Sequence, residues 1–281
     1  MEYIQLRNGL MMPQVGLGTW QITDKELMKA IIAQAYAVGY QLIDTAAAYC
    51  NEIAIAKAIT ENKIPRQKLF ISDKVWNTNR GYDAVQEACK KSLKKLKTDY
   101  LDLYLIHWPA SMKLYENWSE MNAETWRGIE RLYKDGYVKS IGVCNFKIHH
   151  LEDLKNSAEI MPMVNQLEFH PGIIQSELLI YCRNNLIAVE ASSPLGNGKI
   201  LSNAQMVSIA NKKEKSTAQI SLRWAIQKGL IVIPKTCKTK RLKHNISVFD
   251  FQLSDEEMKL IDAIPYCGGL GIDADEVIEF G

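Results

Sequence analysis

The six cysteines, at positions 50, 89, 144, 182, 237 and 267, include no C-x-x-C pair and have no histidine partner at ligand spacing. This leaves no zinc framework or redox dithiol to build on. Thiols scattered in this way fit a reducing compartment. A charge excess is also missing: 34 Lys and Arg against 32 Asp and Glu leave a net charge of +2, too little for a general nucleic-acid footprint. No apolar run reaches membrane-spanning length. The first ten residues, Met1 to Leu10, lack the basic region and apolar stretch of a signal peptide. The dinucleotide fingerprint G-x-G-x-x-G is absent, since Gly16-Leu17-Gly18-Thr19-Trp20 begins like one and runs into Trp20. Linkers, low-complexity segments and charge blocks are lacking too, so residues 1–281 are expected to form one domain. On these absences a soluble cytoplasmic chain with a small-molecule partner is expected. They point to no nucleic acid, no membrane and no metal, and nothing demands more than a monomer.

What is present is an ordinary globular composition, 47% hydrophobic and 23% charged over 281 residues. Residues 3–17 read as a hairpin turned at Asn8-Gly9, a pair that tolerates positive φ. A strand at Val15–Gly18 precedes a helix announced by a capping box at Thr23-Asp24-Lys25-Glu26. Seven more strand-then-helix units follow, with strands at Gln41–Thr45, Lys68–Val75, Leu101–His107, Val138–Val143, Met163–Leu167, Leu186–Ala191 and Leu230–Pro234. The strands are short and continuously apolar, as befits a sheet covered on both faces. Eight strictly alternating units at this length predict an α/β fold, a closed (β/α)8 TIM barrel with an N-terminal β-hairpin lid. A last helix opens with a second capping box at Ser254, and 265–281 is left as a tail.

In such a barrel the carboxyl ends of the strands share one mouth. Asp44, Lys74 and His107 end strands two, three and four, and Tyr49 lies on the loop after strand two. Taken singly, each has an unremarkable role as cap, solvated charge, core histidine or amphipathic filler. Their shared rim favours a proton-transfer site. A phenol titrates near ~10. A neighbouring ammonium held by Asp44 is expected to lower that value, making Tyr49 a better acid near neutral pH. His107 would orient a substrate oxygen. No Ser-His or Cys-His pair and no metal cluster supplies an attacking group, so a hydride from a bound cofactor fits. The end of the last strand, Pro234 to Asn245, carries Lys235, Lys238, Lys240, Arg241 and Lys243 at the start of a helix. Barrels often bind phosphate there. Given a required cofactor, this cluster suggests NADPH rather than NADH.

These segments resemble the aldo-keto reductase superfamily, in particular its bacterial diketogluconate and glyoxal reductase-like members, nearly end to end. The resemblance is carried by Gly16–Trp20, Asp44-Thr45-Ala46 with Tyr49-Cys50-Asn51-Glu52, Lys74-Val75-Trp76 and Leu105–Pro109. It continues through Ile141–Phe146, Val164-Asn165-Gln166 to His170-Pro171, Ser193-Pro194-Leu195-Gly196, and Ile233-Pro234-Lys235 with Arg241 and Asn245. It implies NADPH-dependent reduction of aldehydes or small ketones, with Tyr49 as general acid assisted by Lys74, Asp44 and His107. It assigns cofactor contacts to Gly18, Thr19, Cys144, Asn145, Gln166, Ser192, Ser193, Leu195, Gly196, Lys235, Thr236, Arg241 and Asn245. Trp20, Trp76, His107 and Trp108 would line the substrate pocket. Three positions depart from the family pattern: Ser192 replaces a stacking Tyr or Trp, Cys144 a Ser, and Cys50 a Gly. The short glycine-rich tail is expected to leave one pocket wall open, with Ala110–Asn122 as the loop that selects substrates. Two other roles stay open on sequence alone, a non-catalytic NADPH-binding regulatory barrel and a Schiff-base aldolase using Lys74.

Overall fold

The computed structural model describes residues 2–277. It opens with an antiparallel hairpin, β1 (Tyr3–Gln5) and β2 (Met11–Pro13), turned through Asn8-Gly9 with Gly9 at φ +87°. β3 (Gly16–Gly18) leads to α1 (Lys25–Ala37), β4 (Leu42–Asp44) to α2 (Glu52–Glu61), and β5 (Phe70–Val75) to α3 (Tyr82–Leu96). β6 (Leu103–Ile106) leads to α4 (Trp118–Lys134), β7 (Ile141–Cys144) to α5 (Ile148–Lys155), and β8 (Val164–Glu168) to α6 (Ser176–Asn184). β9 (Ala188–Ser192) is followed by α7 (Ala204–Lys213) and α8 (Thr217–Gln227), and β10 (Ile231–Val232) by α9 (Thr239–Ile246) and α10 (Asp255–Asp262).

β3 to β10 pair in sequential order, all in parallel, and bridges from Val15 to Val232 and from Gly18 to Lys235 join the two ends. The result is a (β/α)8 barrel. Closure depends on Gly18, because a Cβ there would stand 2.8 Å from the Ile233 carbonyl oxygen. One continuous apolar cluster runs through all eight strands. The hairpin covers the pole opposite the strand ends. Its Asn8 amide donates to the Lys139 carbonyl (2.9 Å), ahead of β7, and the Gln14 amide donates to the Leu230 carbonyl (3.0 Å), ahead of β10.

Several expected boundaries move. The first helix is capped by Asp24, whose carboxylate accepts from the Leu27 N–H at 2.7 Å, and not by Thr23. α4 starts at Trp118, so the last five residues of the supposed loop Ala110–Asn122 are helical. The stretch after β9 forms two helices, separated where Glu214 turns left-handed (φ 53°) and Ser216 begins a new capping box.

The tail is the larger correction. Its glycines let it fold back over the mouth instead of leaving a wall open. The Leu270 N–H donates to both Glu168 carboxylate oxygens (2.9 and 3.1 Å), and Lys147 pairs with Asp273 and, at 2.7 Å, with Asp275. Ala274 and Val277 pack on Trp108. A cavity of about 310 Å³ remains beneath it, lined in part by Trp108, Asn145, Lys147 and Tyr266. The last four residues of the expected tail, 278–281, lie outside the described residues.

Candidate active site

Strand alternation decides which polar groups enter the barrel. On β5, Ser72 and Lys74 share a face, and both reach Asp44 at the end of β4. Ser72 Oγ donates to Asp44 Oδ1 (2.8 Å), and Lys74 Nζ donates to Oδ1 and Oδ2 (2.7 and 2.8 Å) and to the Thr45 carbonyl (2.9 Å). Lys74 is wholly buried. Its three donors are thus all used, which is what makes a buried ammonium tolerable. Burial alone would pull this ammonium's pKa down, but Asp44 and Tyr49 beside it hold it above the ordinary lysine range.

After Asp44 the small residues Ala46, Ala47 and Ala48 allow a tight turn, one helical step of 3-10 type over Ala47–Tyr49. Asn51 braces it, accepting from Thr45 Oγ1 (2.7 Å) and donating to the Thr19 carbonyl (2.9 Å). The turn sets the Tyr49 ring against Lys74, with Nζ 5.1 Å from the ring centroid. Across the mouth, the His107 ring meets Tyr49 edge-on at 5.8 Å between centroids and Trp76 edge-on at 5.1 Å. The four residues converge as expected. The anticipated lowering of the phenol's pKa is not the net outcome: burial pushes Tyr49 up to about 12, and the Lys74 charge offsets only part of that. Burial, and then Lys74, hold His107 well below the usual imidazole value, so it is neutral at pH 7.

The remaining expected contacts fall in two groups. Around the mouth, Asn145 sits left-handed (φ 62°) and donates from Nδ2 to the His107 carbonyl (3.0 Å), and its own N–H donates to the Gln166 carbonyl (2.8 Å). Thr19 spends its hydroxyl on the Asp44 carbonyl (2.8 Å), tying β3 to β4. Ser193 (φ 48°), with Leu195 and Gly196, forms a tight turn after β9. Trp76 packs against buried Trp108, while Trp20 is exposed on the rim. At the end of β10 lies the second group. Thr236 and Asn245 are buried there, and Lys235, Lys238, Lys240, Arg241 and Lys243 have no acidic partner among the described residues.

The aldo/keto reductase family model matches residues 14–265. The chain is 45% identical to the glyoxal reductase of Bacillus subtilis (strain 168) over 277 residues, 99% of this chain and 98% of that protein. It is 40% identical to the methylglyoxal reductase DkgA of Escherichia coli (strain K12) over 275 residues, 97% of each chain. Among solved structures, MGS-M4, an aldo-keto reductase from a Medee basin deep-sea metagenome library, superposes with a TM-score of 0.91 at 39% identity, covering 99% of this chain and 100% of that one. A Bombyx mori aldo-keto reductase solved in complex with NADP gives 0.85 at 35% identity, covering 94% and 92%. The chain belongs to the aldo/keto reductase family.

The three positions expected to depart from the family pattern have different structural weight. Cys50 adopts φ 54°, a conformation that glycine takes more cheaply, with its exposed thiol 3.8 Å from the Ala48 carbonyl. Cys144 is buried at the end of β7, and burial holds its thiol well above the usual cysteine range. Ser192 is half-buried at the end of β9 and presents no ring.

Two buried acids escaped the sequence reading. Glu190, on the inner face of β9, is wholly buried beside Gln166, and burial, then Asp44, push its pKa to about 8. Asp73, between Ser72 and Lys74, faces outward against the helices. Its Oδ1 accepts from the Lys74 N–H (2.7 Å), its Oδ2 has no hydrogen-bond partner, and burial, then Glu52, raise its pKa to about 7. The unfolded chain releases that proton near pH 4, so the folded state loses stability as pH rises from about 4 to 7. Asp73→Asn is therefore expected to be more stable than the parent at pH 8, by on the order of 2 kcal/mol. The gain should vanish at pH 4, and denaturant melts at the two pH values check it. A variant equally destabilised at both would mean that the carboxylate is favourable where it sits.

Proposed function

We propose that this protein reduces aldehydes and small ketones to alcohols with NADPH, Tyr49 giving the proton. The observation that carries this reading is the chain from buried Asp44 and Lys74 to half-buried Tyr49, facing a neutral His107. Short dicarbonyls come first as substrates, because two relatives are named for glyoxal and methylglyoxal.

The residues present fit the cofactor. The Gln166 side-chain nitrogen is occupied inside the barrel, and its side-chain oxygen Oε1 accepts no hydrogen bond among the described residues. That oxygen and Asn145 would hold a nicotinamide carboxamide. Lys235 and Arg241, at the end of β10 and the start of α9 and without an acidic partner among the described residues, would hold a 2′-phosphate with Thr236. NADPH, when bound, supplies the hydride. Everything else falls to the chain. His107, held neutral by desolvation and the nearby Lys74 charge, donates a ring N–H to the carbonyl oxygen and fixes its direction. As negative charge grows on that oxygen, the phenol of Tyr49 releases its proton, and the Lys74 ammonium stabilises the phenolate left behind. Asp44 keeps Lys74 charged and aimed. Trp76 and Trp108, with the tail seated on Trp108, exclude water from the reacting groups.

The same electrostatics disfavour an aldolase. A Schiff-base lysine needs a neutral amine, whereas Lys74 is held cationic by a bidentate carboxylate. A regulatory barrel without turnover would have no use for a complete acid relay. The test is loss of NADPH absorbance with methylglyoxal, glyoxal and a simple aldehyde, run beside NADH. Turnover well above background with NADPH is expected. Tight NADPH binding without turnover of any carbonyl compound would instead favour the regulatory role.

A further inference from the structure

Gln166 carries two amide hydrogens and one carbonyl oxygen, and an amide of this kind can face either way unless its neighbours choose for it. Here two acids choose. Nε2 donates to Asp44 Oδ1 at 3.0 Å and to Glu190 Oε2 at 2.6 Å, so both hydrogens are turned into the barrel. With only Asp44 in place, one hydrogen would be unpaired in a buried site and the flipped orientation would compete. Glu190 reaches Gln166 from the adjacent strand, where the two residues are directly in register in the β8–β9 pairing. We infer that Glu190 is a positioning residue for the cofactor: it locks the Gln166 amide so that the carbonyl oxygen faces the mouth and can accept from a nicotinamide carboxamide.

Charge supports this geometry. Asp44 and Glu190 both touch one nitrogen, and two carboxylates that close would repel strongly in a dry interior. A neutral Glu190 resolves the conflict, and its pKa of about 8 keeps it protonated at pH 7. The proton belongs on Oε1, the oxygen with no hydrogen-bond partner, which leaves Oε2 as the acceptor that Gln166 needs. The other ionisable groups facing Glu190 are Lys74, which Asp44 neutralises, and Cys144, which burial keeps as a thiol. Among the described residues Glu190 forms no salt bridge, because Lys74, the cation nearest to it in effect, is paired with Asp44.

The inference rests on the cofactor reading above, and the experiment separates the two. NADPH affinity is measured by quenching of tryptophan fluorescence for the parent, Glu190→Met, Glu190→Gln, Gln166→Leu and the double variant Glu190→Met/Gln166→Leu. Thermal melts confirm folding. Methionine keeps the volume and removes the acceptor, so Glu190→Met should bind NADPH about tenfold more weakly, one buried hydrogen bond's worth. Glu190→Gln restores an acceptor and should recover most of that loss, which repair of packing alone would not predict. The double variant should be no weaker than Gln166→Leu, because the two residues act through one amide. KM for NADPH should move with the dissociation constant while kcat falls less. Parent-like affinity in a folded Glu190→Met, or additive losses in the double variant, would overturn the role of Glu190. Failure of the parent itself to bind NADPH would overturn the cofactor reading, and this one with it.

Discussion

Replacing Tyr49 by Phe is expected to reduce carbonyl turnover about a thousandfold, the usual scale for losing a positioned acid, and to leave NADPH affinity within a factor of two or three, roughly the scatter of context effects. The ring would stay against Lys74, so packing and the edge-on contact with His107 would persist. Only the transferable proton would be lost. The pH dependence of the parent gives a second reading of the same group. A phenol pushed to about 12 is protonated throughout the neutral range, so reduction should be nearly flat with pH there. Alcohol oxidation needs the phenolate, so it should rise with pH. Stopped-flow single turnovers and a fluorescence titration on Tyr49→Phe decide the matter. Retained turnover would take Tyr49 out of the chemistry, and lost NADPH binding would make it a structural residue.

The barrel and the four converging residues were legible for one reason. Parallel strands covered on both faces have to be apolar, so a charged or aromatic polar residue at the strand's end stands out against them. Lys74 and His107 are visible in that way at the ends of Phe70–Val75 and Leu103–Ile106. Glu190 was visible too, an acid inside an otherwise apolar strand. Its importance was not, because it depends on Gln166 and Asp44, which lie 24 and 146 positions earlier in the chain. Asp73 was hidden by its neighbour: strand alternation turns it away from the mouth that Lys74 faces, so its raised pKa belongs to the helices outside.

The seating of the tail is long-range in the same sense. Glu168 with Leu270, and Lys147 with Asp275, are ties that no local pattern announces. Glycine content alone reads as openness, whereas here Gly268 and Gly271 supply positive-φ turns (94° and 68°) that fold the strap inward. The sign of the Tyr49 shift failed for a related reason. A neighbouring cation can be inferred from a motif, but the depth of burial that outweighs it needs the closed barrel and the Trp76–Trp108 wall.

Arg241 offers the other large effect, this time on cofactor choice. It is exposed on α9, has no acidic partner among the described residues, and stands among four lysines. Arg241→Ala is expected to weaken NADPH by about thirtyfold, within the range for a hydrogen bond to a charged group. NADH has a 2′-hydroxyl in place of the phosphate, so its affinity should barely change. Added salt provides an independent check: NADPH binding to the parent should weaken as ionic strength rises, and the variant's dependence should be shallower because one cation has gone. The lysines left behind at 235, 238, 240 and 243 explain why the loss should stop short of abolishing NADPH preference. Equal losses for the two nicotinamides would place Arg241 on a part of the cofactor they share, and the 2′-phosphate would then have to be held by the lysines alone.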